Sequence, residues 1–223
     1  MPKEIKIEKN AAEVIQPGSS DAARQAIVNR KDLSGADLRD MRLQNLNARG
    51  AILRKTDLSG SDLSHSLLIQ PNFYKARVQG ATADHLVFLG GDLVRANFKE
   101  SDLSDSALLG VDATEASFEG SNLRNAALFS SNFEHANFTN ANLTNARFAS
   151  VDVSGADFTG AALEGTRSLQ VDWSKAKVPP HPLPAPFVQI PRWAWPVLIG
   201  SVLGVVAVLI YGLVRRKQAR EAA

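Results

Sequence analysis

The stretch AALFSSNFEHANFTNANLTN, residues 126–145, carries a large apolar residue at every fifth position. These residues are Leu128, Phe133, Phe138 and Leu143. An amphipathic helix repeats its apolar face about every 3.6 residues and a half-buried strand about every two, so neither pattern fits. A period of five instead predicts short extended pieces that are joined by regular corners.

The same period continues without an insertion from Leu33 to Val178, which gives 30 consecutive five-residue units. We call the apolar centre of each unit position i. Position i−2 is usually small and lies on the same, inner side of an extended chain as i, whereas i−1 points outward and is often Asp or Asn. Position i+2 is often Gly, which suits a corner. Units that bury a core only by stacking on one another build a solenoid.

The number of units in one coil follows from position i+1, which is usually polar. Apolar residues at this position recur in every fourth unit, with Val94 and Tyr74 as exceptions: Ile69, Leu89, Leu109, Phe129, Ala149 and Leu169. Coils of three units would scatter these residues over all faces, whereas coils of four units place them in one column. The core columns agree, because like stacks on like: Phe98, Phe118, Phe138 and Phe158. The sequence therefore predicts a four-sided all-β solenoid with a phenylalanine core stack.

Several units also match a known motif. ADLRD (36–40), SDLSD (101–105) and ANFTN (136–140) resemble the A-(D/N)-L/F-X-X units of the pentapeptide-repeat family, and the resemblance covers about two thirds of the chain. It implies a right-handed quadrilateral β-helix, here of about seven coils, with i and i−2 inside. The fold of this family serves many functions, so the resemblance leaves the function open.

Composition divides the chain into five segments. They are an N-terminal segment at 1–30 with a capping helix predicted after Ser20, the β-helix at 31–178, a Pro-rich linker at 179–192, an uncharged stretch at 193–214 and a basic tail at 215–223. At about 1.5 Å per residue, the uncharged stretch is long enough to cross a hydrocarbon core of ~30 Å.

The ends of this stretch suit a membrane interface, where amphipathic aromatic rings and basic residues are enriched. The residues concerned are Trp193, Trp195, Tyr211, Arg215 and Arg216. We therefore predict one C-terminal transmembrane α-helix and a single-pass membrane protein in contact with the lipid bilayer, in preference to a buried core helix.

Two features of the sequence bear on the orientation in the membrane. The basic tail favours a cytoplasmic C-terminus, which would place the array outside. The N-terminal residues MPKEIKIEKNAAEVIQ contain no apolar run of signal-peptide length,. We therefore expect a tail anchor, with the array in the cytosol and only the basic tail crossing the bilayer.

The apolar residues at i+1 and those at i−1 of the same units form one contiguous apolar surface. This surface predicts an interaction face. We call the following set the apolar face: Leu67, Ile69, Val87, Leu89, Leu109, Phe129 and Leu169. Contiguous apolar patches on a protein surface usually mark contacts. A protein partner or self-association is the interpretation that we favour. The N-terminal segment 10–29 and the bilayer surface are the alternative occupants.

Two corner columns at i+2 also contain residues that could bind a ligand. One contains Lys55, Lys75 and Arg95 and suits an anion or lipid headgroups, although stacked like charges more often form a solvated edge. The other contains residue types that suit a metal.

The second column contains His65, His85 and Asp105, and two imidazoles with a carboxylate suit a metal such as zinc,. Asn45 and Asn125 occupy the same column, and a metal site would not explain asparagine at these positions. We therefore predict a polar corner, no metal site and no cofactor. The chain has no Cys, which excludes disulfides and thiolate ligands,.

Charge is unevenly distributed, although 25 basic and 23 acidic residues nearly balance overall. Residues 99–164 hold 10 acidic and 3 basic residues. Some pentapeptide-repeat proteins use an acidic surface to mimic DNA and to protect or inhibit topoisomerase. The stacked Asp92, Asp112, Asp152 and Asp172 fit that role, but Asp is also the consensus residue at i−1.

No nucleophile–base pair or Gly-rich phosphate loop is recognisable in the sequence, so we expect no enzymatic activity. Nucleic acid is not an expected partner either. The function that we favour is a membrane-anchored, non-catalytic protein-interaction or scaffolding module. The alternative is a DNA-mimicking modulator of topoisomerase, such as a protector or inhibitor of gyrase.

Overall fold

A computed structural model of the chain describes residues 19–186. Within this range, eight short strands form one parallel sheet in sequence order. The elements are α1 (Ser20–Val28), β1 (Asn47–Arg49), β2 (Leu67–Ile69), β3 (Val87–Leu89), β4 (Ala107–Leu109), β5 (Ala127–Phe129), β6 (Arg147–Ala149), β7 (Arg167–Leu169), a 3-10 turn (Trp173–Lys175) and β8 (Ala185–Pro186). One strand from each coil, β1 to β7, confirms the predicted β-solenoid of about seven coils, and the structure shows that these strands are all parallel.

Each coil has four sides, as the spacing of the i+1 column predicts. On one side, neighbouring strands pair in parallel at an offset of four units, as in Asn47↔Leu67. The other three sides pair through single bridges with the same offset: Asp32↔Ile52, Asp37↔Asp57 and Arg42↔Asp62. The solenoid therefore has one side of three-residue strands and three sides that are closed by tighter corners.

The core consists of the i and i−2 side chains, and most of these are completely buried. The rings of Phe98, Phe118, Phe138 and Phe158 stack along one column, with successive centroids 5.3, 5.0 and 4.9 Å apart and interplanar angles of 4°, 7° and 4°. This spacing is close to the separation of paired strands, which is about 4.8 Å. Like residues therefore stack because each coil repeats the path of the coil before it.

The corners explain the residue preferences of the outer positions. At i+2 the backbone is left-handed, with φ of +68° at Gly60, +55° at His65 and +56° at Lys55. At i−1, Asp112 accepts a hydrogen bond from the backbone N–H of Thr114 at 3.1 Å and another from its hydroxyl at 2.6 Å. Asp or Asn at i−1 thus closes the corner that follows it.

Different elements cover the two ends of the array. Helix α1 buries Ala23 and Ile27 at the first coil, and its Arg24 guanidinium donates to the carbonyl of Gln44. At the other end, the Trp173 ring lies 5.2 Å from Phe148. The apolar contacts of Ile27 and Trp173 shield the end coils from water. Repeat arrays require such caps at their ends.

The pairing extends beyond residue 178. Strand β8 lies within the predicted linker 179–192, yet its Ala185 pairs with Arg167 of β7. A strict repeat would pair Ala185 with Gly165 instead, so the last turn no longer follows the repeat. Part of the predicted tether is therefore the final strand of the sheet.

The membrane prediction concerns another part of the chain. No helix within residues 19–186 is long and apolar enough to cross a bilayer. The predicted span 193–214 and tail 215–223 lie outside the described residues, and so do the predicted interface residues Trp193, Trp195, Tyr211, Arg215 and Arg216. The chain divides into two units, Met1–Phe187 and Val188–Ala223, and the array belongs to the first.

Candidate functional site: an apolar face and a histidine corner

The apolar face lies on the side of the solenoid that carries the three-residue strands. Here the segment from i−1 to i+1 pairs with the next coil as a three-residue strand, as Val87–Leu89 does with Ala107–Leu109. The chain therefore stays extended through i+1, and both i−1 and i+1 point outward. On the other sides, the Asp or Asn side chain at i−1 accepts a hydrogen bond that closes the following corner. The extended strand on this side does not need that hydrogen bond, so apolar residues can take the place of Asp or Asn at i−1.

The strand register places the outward side chains in continuous rows. Ile69 pairs with Leu89, and Leu89 pairs with Leu109. Leu89 is 47 % exposed and Leu169 is 51 % exposed. The remaining members are half-buried: Leu67, Ile69, Val87, Leu109 and Phe129. The structure thus brings the predicted residues together on one surface of the sheet.

A shallow groove of about 570 Å³ follows this surface. It is lined by Arg49, Ile69, Gln70, Leu89, Gly90, Leu109, Gly110, Phe129 and Ser130. Of the segment 10–29 that we considered as a cover, the described part, 19–29, contributes no residue to this lining. Helix α1 instead packs on the first coil, while residues 10–18 lie outside the described range.

Two exposed basic residues lie in the outward rows that form the apolar face. Arg49 ends strand β1 at one end of the groove, and Arg147 stands beyond Ala127 in the i−1 row. Both arginines are exposed. Their position was not part of the sequence-based prediction, which considered only the apolar members of the columns.

The predicted basic column is interrupted by an ion pair. The Arg95 guanidinium makes two hydrogen bonds to the Glu115 carboxylate, at 2.8 and 2.9 Å. This pairing lowers the pKa of Glu115 and raises that of Arg95. The Lys75 ammonium lies 5.1 Å from the centre of the Tyr74 ring. Lys75 and Arg95 are thus engaged in local contacts, so the column does not form a continuous anion-binding edge.

The predicted acidic column has a structural role in its own corners. Asp92, Asp152 and Asp172 accept from the N–H groups of residues 94, 154 and 174 at 3.0, 2.9 and 3.1 Å. Hydrogen bonds from the Ser154 side chain and backbone lower the pKa of Asp152. These carboxylates serve the fold, so their stacking is not in itself a sign of DNA mimicry.

The histidine column differs from the prediction in its carboxylate. The rings of His65 and His85 stack with centroids 4.7 Å apart and planes 28° apart. Asp84 joins them, whereas Asp105 accepts a hydrogen bond from the Asn125 amide at 2.9 Å. Sequence reasoning missed Asp84 because it followed single columns from coil to coil and ignored the neighbouring i+1 position at the same corner.

Comparison with known proteins supports the repeat assignment. Family models for pentapeptide repeats (8 copies) and for a pentapeptide repeat region match residues 32–70 and 85–158. No curated protein matches the chain.

Several solved structures are similar to the chain. One is trypsin-treated QnrB1, a plasmid-mediated fluoroquinolone resistance protein, with 25 % identity, a TM-score of 0.47 and coverage of 65 % of this chain and 76 % of that one. Another is HetL, involved in heterocyst differentiation regulation in the cyanobacterium Nostoc, with 20 % identity, a TM-score of 0.33 and coverage of 69 % and 85 %. The two family matches, together with the unbroken five-residue period and the solenoid that it forms, show that this chain belongs to the pentapeptide-repeat family.

Proposed function

We propose that this chain is a non-catalytic protein-interaction module that is anchored to a membrane and binds a partner protein on its apolar face. The observation that carries the proposal is the continuous row of Ile69, Leu89 and Leu109 on an outward surface of the sheet. Removing apolar surface from water contributes about 25 cal/mol per Å² to association, before the entropy lost on binding is subtracted. A half-exposed leucine such as Leu89 therefore gains from being covered.

The two arginines of this surface favour a different protein over a second copy of this chain. In a dimer through this face, each copy would bring its exposed Arg49 and Arg147 into the same interface. Like charges juxtaposed at an interface oppose association. We therefore expect a partner with an apolar centre and acidic residues at its edges.

The double substitution Leu89→Asp and Leu109→Asp is expected to reduce partner capture at least tenfold. The reason is that two carboxylates would be buried without counter-charges in the apolar contact. The measurement is a pull-down with detergent-solubilised full-length protein, followed by titration of the captured protein.

The matched control for this experiment is Val94→Asp, because Val94 is an apolar i+1 residue on another side of the solenoid. Capture should survive this change. Equal capture by all three proteins would contradict the role of the apolar face. Topoisomerase modulation would be supported instead if the protein captured gyrase in a salt-sensitive way and the double substitution left this capture unchanged. The excess negative charge of residues 99–164 would then be the cause of binding.

Membrane anchoring is the second part of the proposal. It rests on the uncharged stretch 193–214 and on the aromatic and basic residues at its ends,. We place the solenoid on the cytosolic side. Protease added to intact spheroplasts, which enclose the cytosol, should then leave the array undigested. Protease added to intact organelles or to inverted vesicles, whose cytosolic face is outside, should digest it. The reverse pattern would overturn this orientation, and release of the protein by alkaline carbonate would overturn the span.

A further inference from the structure

We propose that His65, Asp84 and His85 form a binding site for a divalent transition-metal ion, such as zinc, copper or nickel. The site lies at one corner of the solenoid and is separate from the apolar face. Nothing in the proposed interaction function requires it.

The solenoid geometry brings the three side chains together. His65 and His85 occupy the same i+2 corner in successive coils, with left-handed φ of +55° and +56°. The Asp84 carboxylate lies 3.0 Å from Nδ1 of His85 and 3.8 Å from Nε2 of His65. One ligand atom from each residue lies within 4.8 Å of the other two.

These distances are close to those of a bound metal ion. Tetrahedral zinc sites have metal–ligand bonds of about 2.0–2.2 Å, so their ligand atoms stand roughly 3.3 Å apart. The two oxygen–nitrogen distances lie on either side of this value. Both imidazoles are about half exposed, at 55 % and 54 % of their side-chain surface, so the two rings have room to rotate toward a shared ion.

The donor set selects the class of metal. Imidazole nitrogen suits zinc, copper and nickel, whereas magnesium and calcium prefer several oxygen ligands. Three protein ligands leave a fourth position for water or for a group from another molecule. Asp105 does not contribute, because its carboxylate is engaged by Asn125.

The competing explanation is a surface cluster in which Asp84 merely accepts hydrogen bonds from the histidines. The two explanations differ in what happens when a metal is added. An ion pair gives no saturable binding, whereas a site built by three residues binds one ion per chain and loses it when any ligand is removed.

The test is calorimetric titration of tag-free, full-length protein in detergent with zinc chloride. We expect one ion per chain, and at least tenfold weaker binding for His65→Asn and for His85→Asn. Asn is suitable because it occupies the same column at Asn45 and Asn125 with φ of +59° and +60°, so the corner backbone tolerates it. Asp84→Asn should also weaken binding.

The control is His135→Asn, which removes a corner histidine that lies 3.5 Å from a single carboxylate, that of Glu134. Its zinc affinity should equal that of the unmodified protein. A zinc-dependent rise in the thermal midpoint, present in the control and absent from His65→Asn and His85→Asn, would support the site independently. Binding weaker than about 1 mM, or equal affinity in all variants, would overturn the proposal.

Discussion

Replacing Phe118 by Ala is expected to lower the free energy of unfolding of the solenoid by about 3–5 kcal/mol. The ring is completely buried. It stacks at 5.3 Å on Phe98 and at 5.0 Å on Phe138, and its edge meets Phe133 at 5.8 Å. The coils above and below share this ring, so the cavity would weaken both interfaces of a central coil. Chemical denaturation followed by circular dichroism measures the loss.

The matched control is Phe118→Leu, because Leu38 and Leu58 occupy the same core column and are completely buried there. A leucine keeps most of the apolar volume, so we expect a loss below about 1.5 kcal/mol. Similar losses for the two variants would show that ring stacking and cavity size do not govern the stability of this core.

Replacing Gly91 by Ala is expected to lower the free energy of unfolding by about 3 kcal/mol, from steric overlap and backbone strain together. Gly91 has φ of +113°. A Cβ atom there would stand 2.6 Å from both Cδ and the carbonyl oxygen of Pro71 in the preceding coil. Neither atom is at the end of a flexible side chain, so the two coils would have to separate locally.

Gly110→Ala is the control that separates the steric overlap of the added Cβ atom from the strain of the left-handed backbone. Gly110 has φ of +67°, and a Cβ atom there would meet nothing within 4 Å. We expect a loss of about 1 kcal/mol from the left-handed backbone alone. Thermal or chemical unfolding of both variants gives the comparison, and a loss at Gly110 as large as that at Gly91 would contradict the overlap.

The regular part of the fold is predictable from the sequence because every unit repeats the same physical requirement. Position i must fill the interior, i−2 must be small, and i+2 must adopt a left-handed conformation. The recurrence of Leu89, Leu109 and Phe129 in every fourth unit then fixes the number of sides. The Phe98–Phe158 stack follows from that number alone, and the observed ring distances agree with it.

The irregular features depend on contacts that the period does not encode. Asp84 reaches the histidines because its corner places i+1 beside i+2 of the neighbouring coil. Strand β8 pairs Ala185 with Arg167, a register that departs from the repeat and that no period could anticipate. From the sequence, the apolar face was explained by contact with a partner. The structure gives a second reason for its apolar composition, because the face lies on the side that carries the three-residue strands. The longer strand favours apolar residues even before any partner is considered.

The four-sided coil also constrains how such a gene can change in length. Adding or removing a whole coil of four units keeps every column in register, so the phenylalanine stack and the apolar face simply lengthen or shorten. Adding or removing a single unit preserves the local repeat but rotates everything downstream by a quarter turn. The core would still close, yet the two surfaces on either side of the change would no longer align. Selection for one continuous face therefore favours duplication of whole coils over duplication of single units.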